Sequence, residues 1–304
     1  MKVYARRRQP PVRAVDGLTF DVEEGAIFGL LGPNGAGKST TLKILTTLAR
    51  PTSGSASVMG FDVVARDLDV RRRMAVVIQE NAAEMFLSVR ENLLTFARFH
   101  GLSGAAIRRR ADEVLALFGL ADDASRKVMD LSGGFRRRVQ VAKTLMVETP
   151  ILILDEFSTG MDPILKRSVL DLLRRERDRG RTIVLTTQIL SEAEELCDDI
   201  LIMNKGRQVA RGDLHTLKLL SQDVYEVTLS YEQLPDGVVA DLEARSPLRL
   251  SVSGHTIEVA LRESEEQVLA LVSDLRRRGR ILRVEVGGAS LEDIFVELMQ
   301  ETGA

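Results

Sequence analysis

The stretch AIFGLLGPNGAGKSTTLKIL, residues 26–45, carries the reading on which the architecture turns. It opens on an apolar run from Ala26 to Leu31, the pattern of a short strand covered on both sheet faces. At Gly32 the run gives way to loop, and from Lys38 onward Leu42, Ile44 and Leu45 recur at helical spacing. Between strand and helix, Gly32, Gly37, Lys38 and Ser39 satisfy the spacing G-x-x-x-x-G-K-[ST]. Glycines so placed let backbone N–H groups converge on one point, towards which the next helix aims its positive end. A phosphate chain is the complement of that arrangement. The segment Gly32, Pro33, Asn34, Gly35, Ala36, Gly37, Lys38, Ser39 and Thr40 is therefore the expected cradle for ATP. Lys38 reaches the outer phosphates, and the Ser39 hydroxyl takes a place on Mg²⁺. The competing reading, a glycine-rich turn with an accidental lysine, explains neither the strand before it nor the helix after it.

Further short apolar runs lie at Ala75–Ile78, Ile151–Leu154, Thr182–Leu185 and Ile200–Met203. Helix-like segments rich in Leu, Arg and Glu separate the last three. Residues 12–22 alternate loosely, as strands at a sheet edge do. Buried strands alternating with helices predict an α/β fold with a mostly parallel sheet covered on both faces. The run ILILDE ends on Asp155 and Glu156. An Asp at such a strand end can hold Mg²⁺ directly or through water, and the Glu beside it can orient or deprotonate an attacking water. A strand that simply ends in solvated acids is the alternative; a phosphate loop in the same sheet argues against it.

From residue 88 to about 148 the rhythm changes to successive helical patterns, VRENLLTFARFH, GAAIRRRADEVLALFGL and the segment after Ser132, which reads as a helical subdomain inserted into the core. In LSGGFRRRVQVAKTLM, Ser132 can cap the helix, and Gly133 and Gly134 leave its first N–H groups uncovered, a second anion-binding tip. The run Arg136, Arg137, Arg138 is expected on a solvated helix face. After Leu220 the composition shifts. Val224–Glu232, two strands around Ser253–Gly254–His255, a helix over 264–279, a strand over 280–286 and a helix opened by Ser290 and Asp293 predict a small α/β domain. The expected division is residues 1–220, with the helical subdomain at about 88–148, and residues 221–304.

Composition narrows the partners. The chain has 304 residues, enough for two domains, and its 42 basic and 44 acidic side chains nearly cancel to a net charge of -2. That balance argues against bulk electrostatic binding to nucleic acid. The one cysteine, Cys197, cannot close an internal disulfide, which fits a reducing compartment. The opening MKVYARRRQPP has no apolar stretch behind its basic residues, so no secretory signal is expected, and no apolar run is long enough to cross a bilayer. Any role at a membrane is then expected to run through a partner.

The ordered set formed by the phosphate loop, VVIQE (76–80), LSGGF (131–135), ILILDE (151–156), STGMD (158–162) and LTTQ (185–188) resembles the ATP-binding subunit of ATP-binding-cassette (ABC) transporters over residues 12–212. AVDGLTF (14–20), PTSG (51–54) and the final ASLEDIFVEL (289–298) are similar to the exporter group that includes antibiotic and daunorubicin-type resistance ATPases. The resemblance implies a P-loop nucleotide-binding domain, ATPase activity and use of Mg²⁺. It implies a second nucleotide-binding subunit, expected as a homodimer, and a separate multi-span permease, with this chain cytoplasmic and peripheral at the inner face of the cell membrane. By position, Gln79 touches Mg²⁺ and the water, and Ser132, Gly133 and Gly134 reach the γ-phosphate held by the other subunit. Asp162 lies in the loop coupling the two sites. Tyr4 is matched to an aromatic stacked on adenine, or is an ordinary edge-strand aromatic.

Three positions depart from the family's pattern: Phe135 for Gln, Phe157 for Pro, and Gln188 for the histidine said to contact the γ-phosphate. An amide donates a hydrogen bond but carries no proton or positive charge near neutral pH. With Glu156 as base, hydrolysis survives and Gln188 serves as a γ-phosphate sensor. Two other readings stand beside this one: a soluble ABC-type mechanoenzyme acting on nucleic acid or ribosomes, and an ATP-gated regulatory subunit with weak hydrolysis.

Overall fold

In a computed structural model of the chain, residues 1–6, 9–77, 83–220 and 224–301 are described. Two compact units separate between Gln208 and Val209.

The first unit opens with an antiparallel pair, β1 (Lys2–Arg6) and β2 (Gln9–Val15). The alternation that predicts strand as far as residue 22 leaves the ladder after Val15. There the Asp16 N–H donates to the Gly206 carbonyl at 2.8 Å, and the Asp16 carboxylate takes the Arg207 guanidinium at 2.7 Å. Leu18, Phe20 and Val22 still pack inward, Phe20 stacking on Phe28 with ring centroids 5.3 Å apart, so the apolar period serves packing without strand pairing. Next come β3 (Ile27–Leu31), α1 (Lys38–Leu45), the hairpin β4 (Ser57–Val58) and β5 (Phe61–Asp62), α2 (Asp67–Arg71) and β6 (Met74–Val77). Helices α3 (Val89–Phe99), α4 (Ala105–Leu117) and α5 (Gly133–Thr144) then form the insert, with a single 3₁₀ turn at Val128–Asp130. A capping box fixes the start of α3, the Ser88 hydroxyl accepting the Glu91 N–H while the Glu91 carboxylate accepts that of Ser88. The unit continues through β7 (Ile151–Asp155), α6 (Pro163–Asp178), β8 (Thr182–Thr186), α7 (Leu190–Leu196) and β9 (Asp199–Asn204) to β10 (Arg207–Gly212), which leads into the second unit.

Five strands run parallel in the order β9-β3-β8-β7-β6. Both faces are buried by alternate residues. Leu152, Leu154, Ile183 and Leu185 meet Val89 and Leu93 of α3, Val139 and Ala142 of α5, and Val169 and Leu173 of α6. Phe28, Leu30, Ile153, Val184, Leu201 and Met203 meet Leu42 and Ile44 of α1. Each such side chain contributes on the order of 1.5–3 kcal/mol by leaving water. Because the strands are parallel, their carboxyl ends share one edge, where ligands bind in open α/β sheets. Gly32, Asp155 and Thr186 all arrive there.

The second unit contains α8 (Leu214–Leu219), β11 (Val224–Tyr231), α9 (Val238–Glu243), β12 (Arg249–Ser253), β13 (Thr256–Arg262), α10 (Glu265–Arg278), β14 (Ile281–Gly288) and α11 (Leu291–Glu301). From β11 to β14 the order is βαββαβ, and the antiparallel sheet reads β12-β13-β11-β14, a ferredoxin-like arrangement. Val227, Leu229, Ile257 and Val259 of the sheet pack on Val238 and Leu242 of α9 and on Val268, Leu271 and Leu275 of α10. The Ser290–Asp293 pair read from the sequence forms its box, the Asp293 carboxylate accepting the Ser290 N–H at 3.0 Å and the Ser290 hydroxyl accepting the Asp293 N–H at 3.3 Å. Helix α9, hairpin β4–β5, α2 and β10 carry patterns too short or too polar for periodicity to show.

Candidate nucleotide site

The loop after β3 is backbone held in left-handed geometry. Gly32, Gly35 and Gly37 have φ of 155°, 82° and 107°. Two of them also have no room for a side chain: a Cβ at Gly32 would stand 2.3 Å from the Met203 carbonyl oxygen, and one at Gly37 2.2 Å from that of Ala14. Ala36 is buried, Asn34 and Gly35 are exposed, and Ser39 and Thr40 are partly covered in the first turn of α1. Lys38 is buried with its ammonium donating to the carbonyls of Gly32 at 2.7 Å and Pro33 at 3.1 Å. Burial pushes its pKa down, opposed by the nearby carboxylates of Glu156 and Asp155.

Asp155, the last residue of β7, is buried and accepts from the Thr186 hydroxyl at 2.5 Å. Glu156 follows in the left-handed region at φ 52°, a conformation an L-residue keeps only when its surroundings hold it. Thr186 does the holding: its carbonyl and hydroxyl accept the Glu156 N–H at 3.0 and 3.2 Å. Phe157, which stands where the family's pattern has proline, is fully buried in the core beneath and anchors the turn by packing. The Gln188 amide donates to the Glu156 carboxylate at 2.5 Å and to the Asn34 side-chain oxygen at 3.2 Å. Strand-end acid, amide and phosphate loop thus converge on one another.

A second group forms around α5. The Ser132 hydroxyl accepts the Phe135 N–H at 3.4 Å, so the predicted cap is made. A Cβ at Gly133 would meet nothing within 4 Å, whereas one at Gly134 would stand 2.6 Å from the Gly160 carbonyl oxygen. The Asp162 carboxylate caps α6 by accepting the Leu165 N–H at 3.0 Å, and its other oxygen pairs with Arg138 at 2.7 Å. Arg138 also lies over the Phe135 ring, 4.5 Å from its centroid. Among the described residues, no hydrogen bond or ion pair joins Ser132, Gly133 or Gly134 to the phosphate loop.

The expectation that Arg136, Arg137 and Arg138 share a solvated face is wrong for Arg137. Arg137 is only 8% exposed; it donates to the Gln140 side chain at 2.7 Å and to the Asp155 carbonyl. Helix α5 brings this guanidinium to the strand end, where it gives the buried Asp155 carbonyl a donor. Thr186 and Arg137 were both missed. The signal for Arg137 was its i, i+3 partner Gln140, with Thr144 one further turn on: a polar stripe inside an apolar helix. Tyr4 stands on β1 opposite Val12, with the Lys2 ammonium 5.0 Å from its ring centroid and no described bond to the phosphate loop. Gln79 lies outside the described residues.

The donor set fits Mg²⁺ and a nucleoside triphosphate. No cluster of three or more His, Cys, Asp or Glu suited to a metal occurs among the described residues. One strand-end carboxylate and one hydroxyl suit a cation that keeps waters and shares phosphate oxygens.

Comparison with known proteins agrees. A family model described as ABC transporter matches residues 15–159. The daunorubicin/doxorubicin resistance ATP-binding protein DrrA of Streptomyces peucetius is 37% identical over 293 residues, covering 94% of this chain and 88% of that one. The Nod factor export ATP-binding protein I of Burkholderia orbicola is 38% identical, covering 93% and 91%. Among solved structures, an ATP-binding subunit of an ABC transporter matches with a TM-score of 0.66 at 30% identity, over 72% of this chain and 90% of that one. The dimeric post-hydrolysis state of the ATP-binding cassette MJ0796 bound to ADP and Pi matches with a TM-score of 0.65 at 26% identity, over 70% and 95%. The chain belongs to the ATP-binding subunits of ABC transporters. It is an ATP-hydrolysing enzyme, related to the DrrA-like ATPases of antibiotic resistance and export.

Proposed function

We propose that two copies of this chain close around ATP and hydrolyse it to drive export through a separate permease. The observation that carries this reading is the split in the site. The phosphate loop, Asp155, Glu156 and Gln188 converge, while the open tip at Ser132 and Gly133 has no bond to that cluster. A second copy supplies the missing tip. In the closed pair, Lys38 and the N–H groups from Gly32 to Thr40 hold the phosphates of one ATP. The Ser132 hydroxyl and the N–H groups of Gly133 and Gly134 from the other copy complete the shell around the γ-phosphate.

Glu156 takes the proton of the attacking water as the bond between γ-phosphorus and the bridging oxygen breaks, releasing ADP and phosphate. Gln188 keeps the Glu156 carboxylate aimed and donates to the γ-phosphate. Ser39, Asp155 and Gln79 would hold Mg²⁺, which when bound neutralises phosphate charge. Asp162 couples the two sites, and Tyr4 stacks on adenine. Residues 1–220 carry this chemistry, and residues 221–304 form an accessory domain that stabilises the pair or regulates turnover. Departure of phosphate removes the ligand that favours closure, and the halves separate.

Export is supported by the names of the relatives, a resistance ATPase and an export ATPase. No described helix is long and apolar enough to cross a membrane, which supports a chain bound at the cytoplasmic face of a permease. Phe86 and Phe99, both largely exposed around α3, suit the helical insert as the part that meets it.

The test is Glu156→Gln with MgATP. It is expected to lose turnover by at least about a hundredfold and to accumulate nucleotide-loaded dimers in sedimentation velocity. A monomer at saturating ATP sinks the two-copy reading. Recovery in ribosomal or DNA fractions, rather than with a multi-span protein from detergent-solubilised membranes, sinks the permease.

A further inference from the structure

We infer that β14 is a self-complementary edge through which two copies of this chain pair their second units into one continuous sheet, independently of nucleotide. Among the described residues, strand β14 ends the order β12-β13-β11-β14, so one side of its backbone is bonded to β11 and the other side has no strand partner for its N–H and C=O groups. On its helix-bearing face, Val284 stands opposite Leu229 and Val286 opposite Val227, yet Leu282, Val284 and Val286 remain 63%, 42% and 40% exposed. A long, exposed edge attracts other strands, and proteins that must stay single blunt it with charged side chains, proline, a bulge or a covering helix. β14 has no proline, its single register shift lies at the Ile281 end, and its two charges, Arg283 and Glu285, are of opposite sign.

What it has instead is a pattern that matches itself. Written around Val284, the strand reads Leu282, Arg283, Val284, Glu285, Val286. An antiparallel copy on a two-fold axis through Val284 sets Arg283 opposite Glu285 of the second copy, and Glu285 opposite its Arg283. On the other face Val284 meets Val284, and Leu282 meets Val286. Every cross-strand pair is favourable, charge with opposite charge and apolar with apolar. The pleat keeps the two sets on separate faces. Within one chain Arg283 and Glu285 already pair at 2.5 Å along the strand, both exposed, so dimerisation extends an existing pair into a ring of four charges and buries no lone ion. The beginning of a neighbouring strand falls on Gly287 and Gly288, where a Cβ would meet nothing within 4 Å, so no side chain bars the approach.

The result is an isologous two-fold contact. A pair of eight-residue strands is a modest interface alone. Its use is as a tether: after ATP leaves, the two phosphate sites stay at high effective concentration and reclose without a new encounter. The pairing does not depend on how ATP is bound.

The experiment uses the full chain without nucleotide, with self-association followed by sedimentation velocity over a concentration series. Arg283→Glu and Glu285→Arg each replace two attractive pairs by two repulsive ones, and each is expected to raise the association midpoint about tenfold. The double variant, R283E with E285R, restores opposite charges and is expected to return within about twofold of the wild type. The register is read separately: Val284→Cys forms a disulfide-linked dimer on mild oxidation, and Arg283→Cys does not. Cys197 does not compete, because burial raises its thiol pKa far above neutrality. A wild-type chain that stays monomeric at every concentration, a double variant as weak as the singles, or cross-linking at Arg283→Cys instead of Val284→Cys overturns the proposal. Dimers of Glu156→Gln under MgATP are scored on their own, so loss of the edge leaves the ATP-bridged pair standing, and the reverse.

Discussion

Arg138 and Asp162 are joined by an ion pair of 2.7 Å, so the helix that presents Ser132 and Gly133 is fastened to the loop that opens α6. The same carboxylate caps α6 through the Leu165 N–H, which, with the Arg138 charge, holds its pKa below the ordinary carboxylate range. Asp162→Asn keeps a capping oxygen but loses the charge. It is expected to leave the melting temperature nearly unchanged, to weaken ATP-dependent dimerisation, and to be no worse when combined with Arg138→Gln than Arg138→Gln alone. Asp162→Ala, which loses the cap as well, is expected to melt a few degrees lower. A double variant showing the summed losses of the two single ones would mean the pair is not the coupling contact.

The two glycines of the helix tip separate folding from binding. Gly133 faces open space, so Gly133→Ala is expected to melt like the wild type while losing ATP-dependent dimers. Gly134 lies against the Gly160 carbonyl, so Gly134→Ala is expected to cost about 1–3 kcal/mol in urea unfolding before any ligand is added. Equal unfolding midpoints for the two variants would remove the distinction.

Gln188 holds Glu156 and Asn34 together through one amide. Gln188→Ala is expected to lower kcat about a hundredfold with a smaller change in ATP affinity. Gln188 does not titrate, so the wild-type rate is expected to show no step from this position near pH ~6.5, whereas Gln188→His introduces one. A pH–rate profile compares the two directly, and superimposable profiles would argue that the position does not touch the reacting phosphate.

Lys38 is the buried cation of the phosphate loop, and burial lowers its pKa from the ordinary 10.5. A lowered pKa means that the folded, nucleotide-free chain binds this proton less tightly than the unfolded one. Its contribution to stability is therefore complete above the unfolded value and is lost as pH falls through the folded one. Lys38→Met removes the titration. It is expected to abolish MgATP binding and to melt above the wild type near about pH 8, with the gap closing towards about pH 10. Thermal unfolding of both chains across that range decides it; a gap that widens with pH contradicts the burial of the charge.

The parts that sequence alone revealed are those written in local order. The phosphate loop, the strand-end acids, the Ser132 cap and the inserted helices each depend on neighbours a few residues away, and spacing displays them. What spacing does not display is which distant residue completes a bond. Gln188 and Asn34 are 154 positions apart, Thr186 and Asp155 31, and Arg137 and Asp155 18. Periodicity tells which side of a helix faces inward but not what waits there, so three arginines in a row read as solvated when Arg137 is buried against a strand end. The strand that stops at Val15 failed for a related reason: Leu18, Phe20 and Val22 keep an alternating pattern while their backbone leaves the ladder.

The sheet order has a consequence for the protein's synthesis. β3 is the first of the parallel strands to leave the ribosome, yet its final neighbours, β8 and β9, emerge some 150 residues later, counting from Leu31 to Thr182. A nascent chain must therefore shelter an apolar strand and a half-built cradle until translation has passed Asn204. Fragments released before that point are expected to bind no nucleotide and to aggregate. A chain arrested upstream of β8 is expected to be more aggregation-prone than one released after Asn204, as the solubility of the two truncated forms would show.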